Sequence, residues 1–131
     1  MPAVNWLAVI AAAISMFVIG GIWYGPLFAK PWQRAAGLSD EQLKSANLPL
    51  IFGLAFVLSL LMAANLAFFV AGTTTLTDIV LQSLAAGLGF ASFGLGVVAL
   101  FERRPLSYFA INGGYLTIAF AVMGLILGLW K

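Results

Sequence analysis

The feature that most limits this chain is a set of four apolar runs, each about 20 residues or longer, with no Asp, Glu, Lys or Arg in the middle of any of them. At 1.5 Å of rise per residue, such a run crosses the roughly 30 Å hydrocarbon core of a bilayer as an α-helix. Composition points the same way. Of 131 residues, 63% are hydrophobic and 8% charged, and the mean hydropathy is +1.10. Soluble domains carry roughly 25% charged residues, so this chain lacks the polar surface to enclose one water-exposed core, and lipid is its expected solvent. The expected fold is all-α: a four-helix transmembrane bundle with a short interfacial helical loop between the first two helices, in a single membrane domain over residues 1–131.

The expected spans cover about 4–25, 50–71, 78–101 and 106–130, with a cytoplasmic loop at about 26–49. The first run is too long for a signal-peptide core of about 7–15 residues, and no Lys or Arg precedes it, so it reads as a retained span. It ends in Trp23-Tyr24-Gly25-Pro26. The two aromatics suit the headgroup level, Gly25 suits a left-handed cap, and Pro26 interrupts the hydrogen-bond ladder.

In the loop, Pro31 is expected to open a short interfacial helix that turns Trp32 to lipid and Arg34 to water and closes at Gly37. Ser39 with Gln42 reads as a capping box, and Thr75 with Asp78 as the start of the third span. Glu102-Arg103-Arg104-Pro105 stops that span. Threading four spans places Lys30, Arg34, Lys44, Arg103 and Arg104 on one side and Lys131 on the other. The positive-inside rule then puts both termini outside and the long loop in the cytoplasm.

The sequence pI of about 9.3 does not imply nucleic acid, because the net charge is only +2 and the basic residues flank apolar segments where topology accounts for them. Cysteine and histidine are both absent. That removes disulfides, thiol nucleophiles, the commonest general base and the commonest metal ligand, so no metal, no cofactor and no enzymatic activity are expected. Four-helix multidrug carriers are similar in size but rely on an acid buried in the first span, and Val4 to Tyr24 holds none.

Helix packing is expected along stripes of small residues, since close backbone approach gains dispersion energy where lipid supplies little hydrophobic drive. In the third span the stripe is Ala85, Gly89, Ser92, Gly96 and Ala99. In the fourth it is Ala110, Gly114, Thr117, Ala121, Gly124 and Gly128, and these two helices should touch. Ser59, Ala63, Ala67 and Ala71 recur at four-residue spacing in the second, which favours a right-handed crossing instead.

Candidate binding residues are uncharged. Asn5, Asn65 and Gln82 fall in the outer half and could share a level, either bridging helices or binding a polar solute. Trp23 and Tyr24 act either as interfacial anchors, the favoured reading, or as part of a site where the loop folds back on the helices. The expected role is non-enzymatic, through helix association with itself or a membrane partner in the bilayer; the alternative is a channel or carrier for a small neutral solute.

The stretch Trp23-Tyr24-Gly25-Pro26-Leu27-Phe28, followed by Lys30-Pro31-Trp32 and Gly37, together with the span pattern and Asn5, resembles the domain of unknown function 1761 family of small integral-membrane proteins. The resemblance covers essentially the whole chain. It implies a bacterial inner-membrane protein and brings no established activity, ligand or catalytic residue.

Overall fold

The computed structural model describes residues 4–130, which form seven α-helices and two wider π-helical turns. The helices are α1 (Trp6–Ile22), α2 (Ala29–Ala36), α3 (Asp40–Lys44), α4 (Leu48–Phe69), α5 (Leu76–Ala86), α6 (Phe93–Phe101) and α7 (Leu106–Leu129). One π turn, Trp23–Leu27, extends α1; the other, Gly87–Ser92, fuses α5 and α6 into one rod. Four continuous helical stretches are long and apolar enough to cross a membrane: Trp6–Leu27, Leu48–Phe69, Leu76–Phe101 and Leu106–Leu129. Lys131, which enters the count of charges by side, lies outside the described residues.

Helix starts follow local side-chain chemistry. The Oδ1 atom of Asn5 accepts from the Leu7 and Ala8 amides at 3.1 and 3.2 Å, satisfying donors that the first turn of α1 leaves over. Ser39 and Gln42 form a reciprocal capping box on α3. Asn47 and Thr75 cap α4 and α5 through their side-chain oxygens. At the end of α2, Gly37 takes a left-handed φ of 71°, and its amide and that of Leu38 return to Arg34 and Gln33.

The first span does not stop at Gly25. Pro26 has no N–H, and its ring would strike the carbonyl one α-turn back, so the helix widens instead of ending. The Phe28 amide reaches the Trp23 carbonyl at 2.9 Å, and Gly25 stays helical. The widened turn carries Trp23 and Tyr24, whose side chains both hydrogen-bond to α7.

The first span is central. It packs on α4 on one side and on α7 on the other, and α7 packs in turn on the α5–α6 rod. Ala8, Ala12 and Ala13 of α1 and Ser59, Ala63 and Ala67 of α4 are all buried, and Phe17 sets its ring edgewise on Phe52 and Phe56 across the α1–α4 seam. The α4 helix and the α5–α6 rod are neighbours in sequence, yet their facing sides border a groove over Phe120 of α7.

The seam between the third and fourth spans departs from the expected stripe in one half. Buried positions on the α5–α6 rod are Ile79, Ser83, Gly87, Ser92 and Ala99, with a five-residue step at the π turn. The Phe93 amide returns to the Leu88 carbonyl there. Each residue advances a helix by about 100°, so one inserted residue rotates everything before it relative to everything after it. Ser92, Gly96 and Ala99 therefore face α7, while Ala85 and Gly89 face outward, with nothing within 4 Å of a Cβ built on Gly89. Gly87 takes the inward place, and a Cβ there would lie 2.5 Å from that of Phe120.

Along α7, Gly124 sits against the Ser83 side chain and Gly128 against Leu76 and Ile79. Gly113 lies over Ser92, while Gly114 turns to the first span, where a Cβ would meet the Trp23 ring at 3.1 Å. Thr117 and Ala121 are half-buried, and Ala110 is exposed. Ser92 closes the centre of the seam by donating to the Gly113 carbonyl at 2.8 Å and lying 3.0 Å from the Thr117 hydroxyl, which itself donates to Gly113.

Candidate functional site

Where the long loop meets the helices, four elements converge on a cavity of roughly 470 Å³ lined by Tyr24, Trp32, Arg104, Tyr108, Asn112 and Tyr115, with leucines closing its apolar side. The π turn supplies Tyr24, which donates to Oδ1 of Asn112 at 2.5 Å. Its neighbour Trp23 donates from Nε1 to the Ile111 carbonyl at 2.8 Å. Ile111 and Asn112 are consecutive on α7, so the two aromatics grip one turn of that helix. Both are half-buried and both hydrogen-bond to α7, the arrangement expected of the alternative reading in which the motif folds back on the helices.

The cradle is aromatic on three sides. Tyr24 meets Trp32 of α2 edgewise at 5.6 Å and Tyr115 of α7 at 5.3 Å, an arrangement aromatic quadrupoles favour. Tyr115 donates to the Met16 carbonyl at 2.9 Å, and it can approach because Gly20, one turn on, has no side chain to meet its hydroxyl. Tyr108, Asn112 and Tyr115 follow one another at steps of four and three, which keeps them on one face of α7.

Arg104 closes the cradle at the loop side. Its Nη1 donates to the Ala36 carbonyl at 2.7 Å, where a cation complements the negative end of α2, and its guanidinium lies 5.5 Å from the Tyr108 ring centroid. Nε is 3.6 Å from Glu102, a half-exposed pair worth little on its own. Arg103 precedes it at φ 57°, the one non-glycine residue with positive φ among those described. Its amide and that of Arg104 return to Leu100 and Ala99, so a left-handed residue is needed to end α6 there, and arginine occupies the place that glycine usually takes.

The lining chemistry is rich in donors. Oδ1 of Asn112 is taken by Tyr24, which leaves its amide hydrogens, while Arg104 keeps donors beyond the one given to Ala36. Tyr108 makes no hydrogen bond through its hydroxyl among the described residues. No carboxylate, imidazole or thiol is among the lining residues. Among the described residues there is also no group of three acidic, His or Cys side chains that could hold a metal ion.

The other candidate residues do not join this cradle or one another. Nδ2 of Asn5 donates to the Trp130 carbonyl at 2.8 Å, tying the start of α1 to the end of α7. Gln82 accepts from Thr73 at 3.0 Å, pinning the turn before α5. Asn65 lies in the groove between α4 and the α5–α6 rod. Three polar side chains placed at similar depths thus have three separate neighbourhoods, because depth follows from rise alone whereas facing depends on rotation about each helix axis.

Four membrane-crossing helices with a loop helix docked over a polar aromatic cradle define a polytopic membrane protein whose most elaborate polar cluster lies at one end. Residues 7–128 match the family described as protein of unknown function (DUF1761), and the chain belongs to that family. Neither a curated protein nor a solved structure matches it.

Proposed function

We propose that this is a non-enzymatic membrane protein that holds the acceptor-bearing end of a small amphipathic molecule in the cradle formed by Tyr24, Trp32, Arg104, Tyr108, Asn112 and Tyr115. The observation that carries the reading is the donor-rich lining of a cavity of roughly 470 Å³, within the roughly 300–1,000 Å³ range of ligand sites. Its one charged lining residue is Arg104, whose guanidinium offers donors and no acceptor. A carboxylate, phosphate or carbonyl head would find donors there, and an apolar body would find Leu38, Leu95 and Leu116. A cationic head is disfavoured, because Arg104 already lies over the Tyr108 ring.

The membrane reading extends to orientation. Lys30, Arg34, Lys44, Arg103 and Arg104 gather at the loop end, which supports a cytoplasmic loop, outer termini and the inner membrane of a bacterium as the setting. The cradle would then open toward the cytoplasmic face. The small-residue seams of α7 and the α5–α6 rod support the fold of the single chain, since Gly87, Gly96, Gly124 and Gly128 already meet neighbours within it.

The test is thermal stabilisation of the purified protein in detergent by single-chain amphiphiles that share one tail and differ in head. Carboxylate, phosphate and amide heads should raise the unfolding temperature, and Asn112→Leu and Arg104→Met should remove the shift. Equal stabilisation by a trimethylammonium head, or an undiminished shift in both variants, would contradict the proposal.

A further inference from the structure

We propose that Asn65 pairs with Asn65 of a second copy of this chain, seating the two copies on each other along the groove between α4 and the α5–α6 rod. The groove holds roughly 290 Å³ and is lined by Met62, Asn65 and Phe69 on one wall, Ala86 and Phe90 on the other, and Phe120 at its floor. The Asn65 side chain is exposed and makes no hydrogen bond among the described residues, although it belongs to a membrane-crossing helix. It lies four residues before the end of α4, about 6 Å inside it by helical rise, among three phenylalanines.

The other polar side chains deep in the spans each have at least one hydrogen-bond partner within the chain. Ser59 and Ser83 donate to carbonyls one turn back, Ser92 and Thr117 meet at Gly113, and Asn112 accepts from Tyr24 while its amide hydrogens face the cradle. Hydrocarbon offers Asn65 nothing, and an unpaired amide there is costly. The missing partner must both donate and accept. Ester carbonyls of lipids only accept, so they would leave Oδ1 unpaired. A second carboxamide meets both needs, and an amide is complementary to its own image across a two-fold axis, the symmetry of most homodimers.

The surroundings fit such an axis. Phe90 projects beside the groove with 76% of its surface exposed, so a knob and a hollow lie on one face of the molecule. A two-fold contact brings the knob of each copy to the hollow of the other. This pairing is independent of the cradle, with which the groove shares no lining residue.

The chain has no cysteine, so single cysteines report proximity without background. In vesicles, oxidative cross-linking of the full chain carrying Phe69→Cys should give dimers at least fivefold more efficiently than Val18→Cys on the exposed side of α1. Adding Asn65→Leu to Phe69→Cys should reduce the dimer at least fivefold, while Asn65→Gln should retain most of it. Because the Asn65 side chain makes no hydrogen bond among the described residues, Asn65→Leu should keep the helicity and elution of the parent. Photobleaching of the labelled, otherwise unaltered chain at low density should give two steps. One step only, cross-linking at Phe69 no better than at Val18, or cross-linking indifferent to Asn65→Leu would overturn the proposal; the last is the result expected if lipid fills the groove.

Discussion

Tyr24 donates its phenolic hydrogen to Oδ1 of Asn112, joining residues 88 apart in sequence where the first span turns past Pro26. The bond does two things at once. It ties the widened end of the first span to α7, and it orients the Asn112 amide so that its donors remain for the cradle. Tyr24→Phe and Asn112→Leu should each destabilise the protein by about 1 kcal/mol, within the range for polar pairs between membrane helices. A double-mutant cycle followed by denaturant unfolding in mixed micelles should give a coupling of similar size; strictly additive effects would show the bond contributes nothing.

Gly124 and Gly89 belong to the same expected packing pattern but stand in opposite environments. A methyl group on Gly124 would collide with Ser83, so Gly124→Ala should cost about 1–3 kcal/mol. One on Gly89 meets open space, and Gly89→Ala should change stability by less than about 0.5 kcal/mol. The same unfolding assay checks both. Equal effects would mean that the π turn at Gly87–Ser92 does not rotate the seam.

Arg103 holds a left-handed conformation that costs a residue with a side chain roughly 1–2 kcal/mol relative to glycine. Arg103→Gly should therefore raise stability by about 1 kcal/mol. The change also removes one flanking charge, so Arg103→Asn serves as a second variant that tolerates the same φ and should show a smaller gain.

Arg104 fastens α2 to the turn after α6 through the Ala36 carbonyl. Arg104→Gln should speed amide hydrogen exchange in Ala29–Ala36 severalfold while leaving α4 unchanged. Arg104→Lys should restore little, because an ammonium lacks the planar fork that spans the carbonyl and the Tyr108 ring together. Protection of α2 identical to that of the parent in both variants would show that the loop helix docks by other means.

Much of the architecture is legible in the sequence because spans are long-window signals. A run of about 20 apolar residues reads as a membrane-crossing helix from length and composition, and caps such as Ser39 with Gln42 are local enough to identify from spacing. Rotation about each axis is less accessible. The π turn adds one residue without any compositional mark, and it moved Ala85 and Gly89 off the seam while Gly87 took the inward place. Trp23 and Tyr24 beside Gly25-Pro26 have the same composition whether they face headgroups or α7, and only the widened turn decides between them. Tyr108, Asn112 and Tyr115, spaced four and three apart, did carry a readable sign of a polar face on α7. Arg104 carried none, since an arginine after a span is already explained by topology.

The central claim is that the Trp23-Tyr24 motif is a clamp within the protein and not a membrane anchor, and the fluorescence of Trp23 tests it directly. A single-tryptophan protein, with Trp6, Trp32 and Trp130 changed to Phe, would be placed in vesicles containing brominated lipids, beside a second protein retaining only Trp6. Trp6 is 57% exposed on the lipid-facing surface, whereas the Trp23 indole is half-buried and donates to Ile111. Bromolipid quenching of Trp23 should be several times weaker than that of Trp6. Quenching of Trp23 as strong as that of Trp6 would place its ring in the lipid and contradict the account.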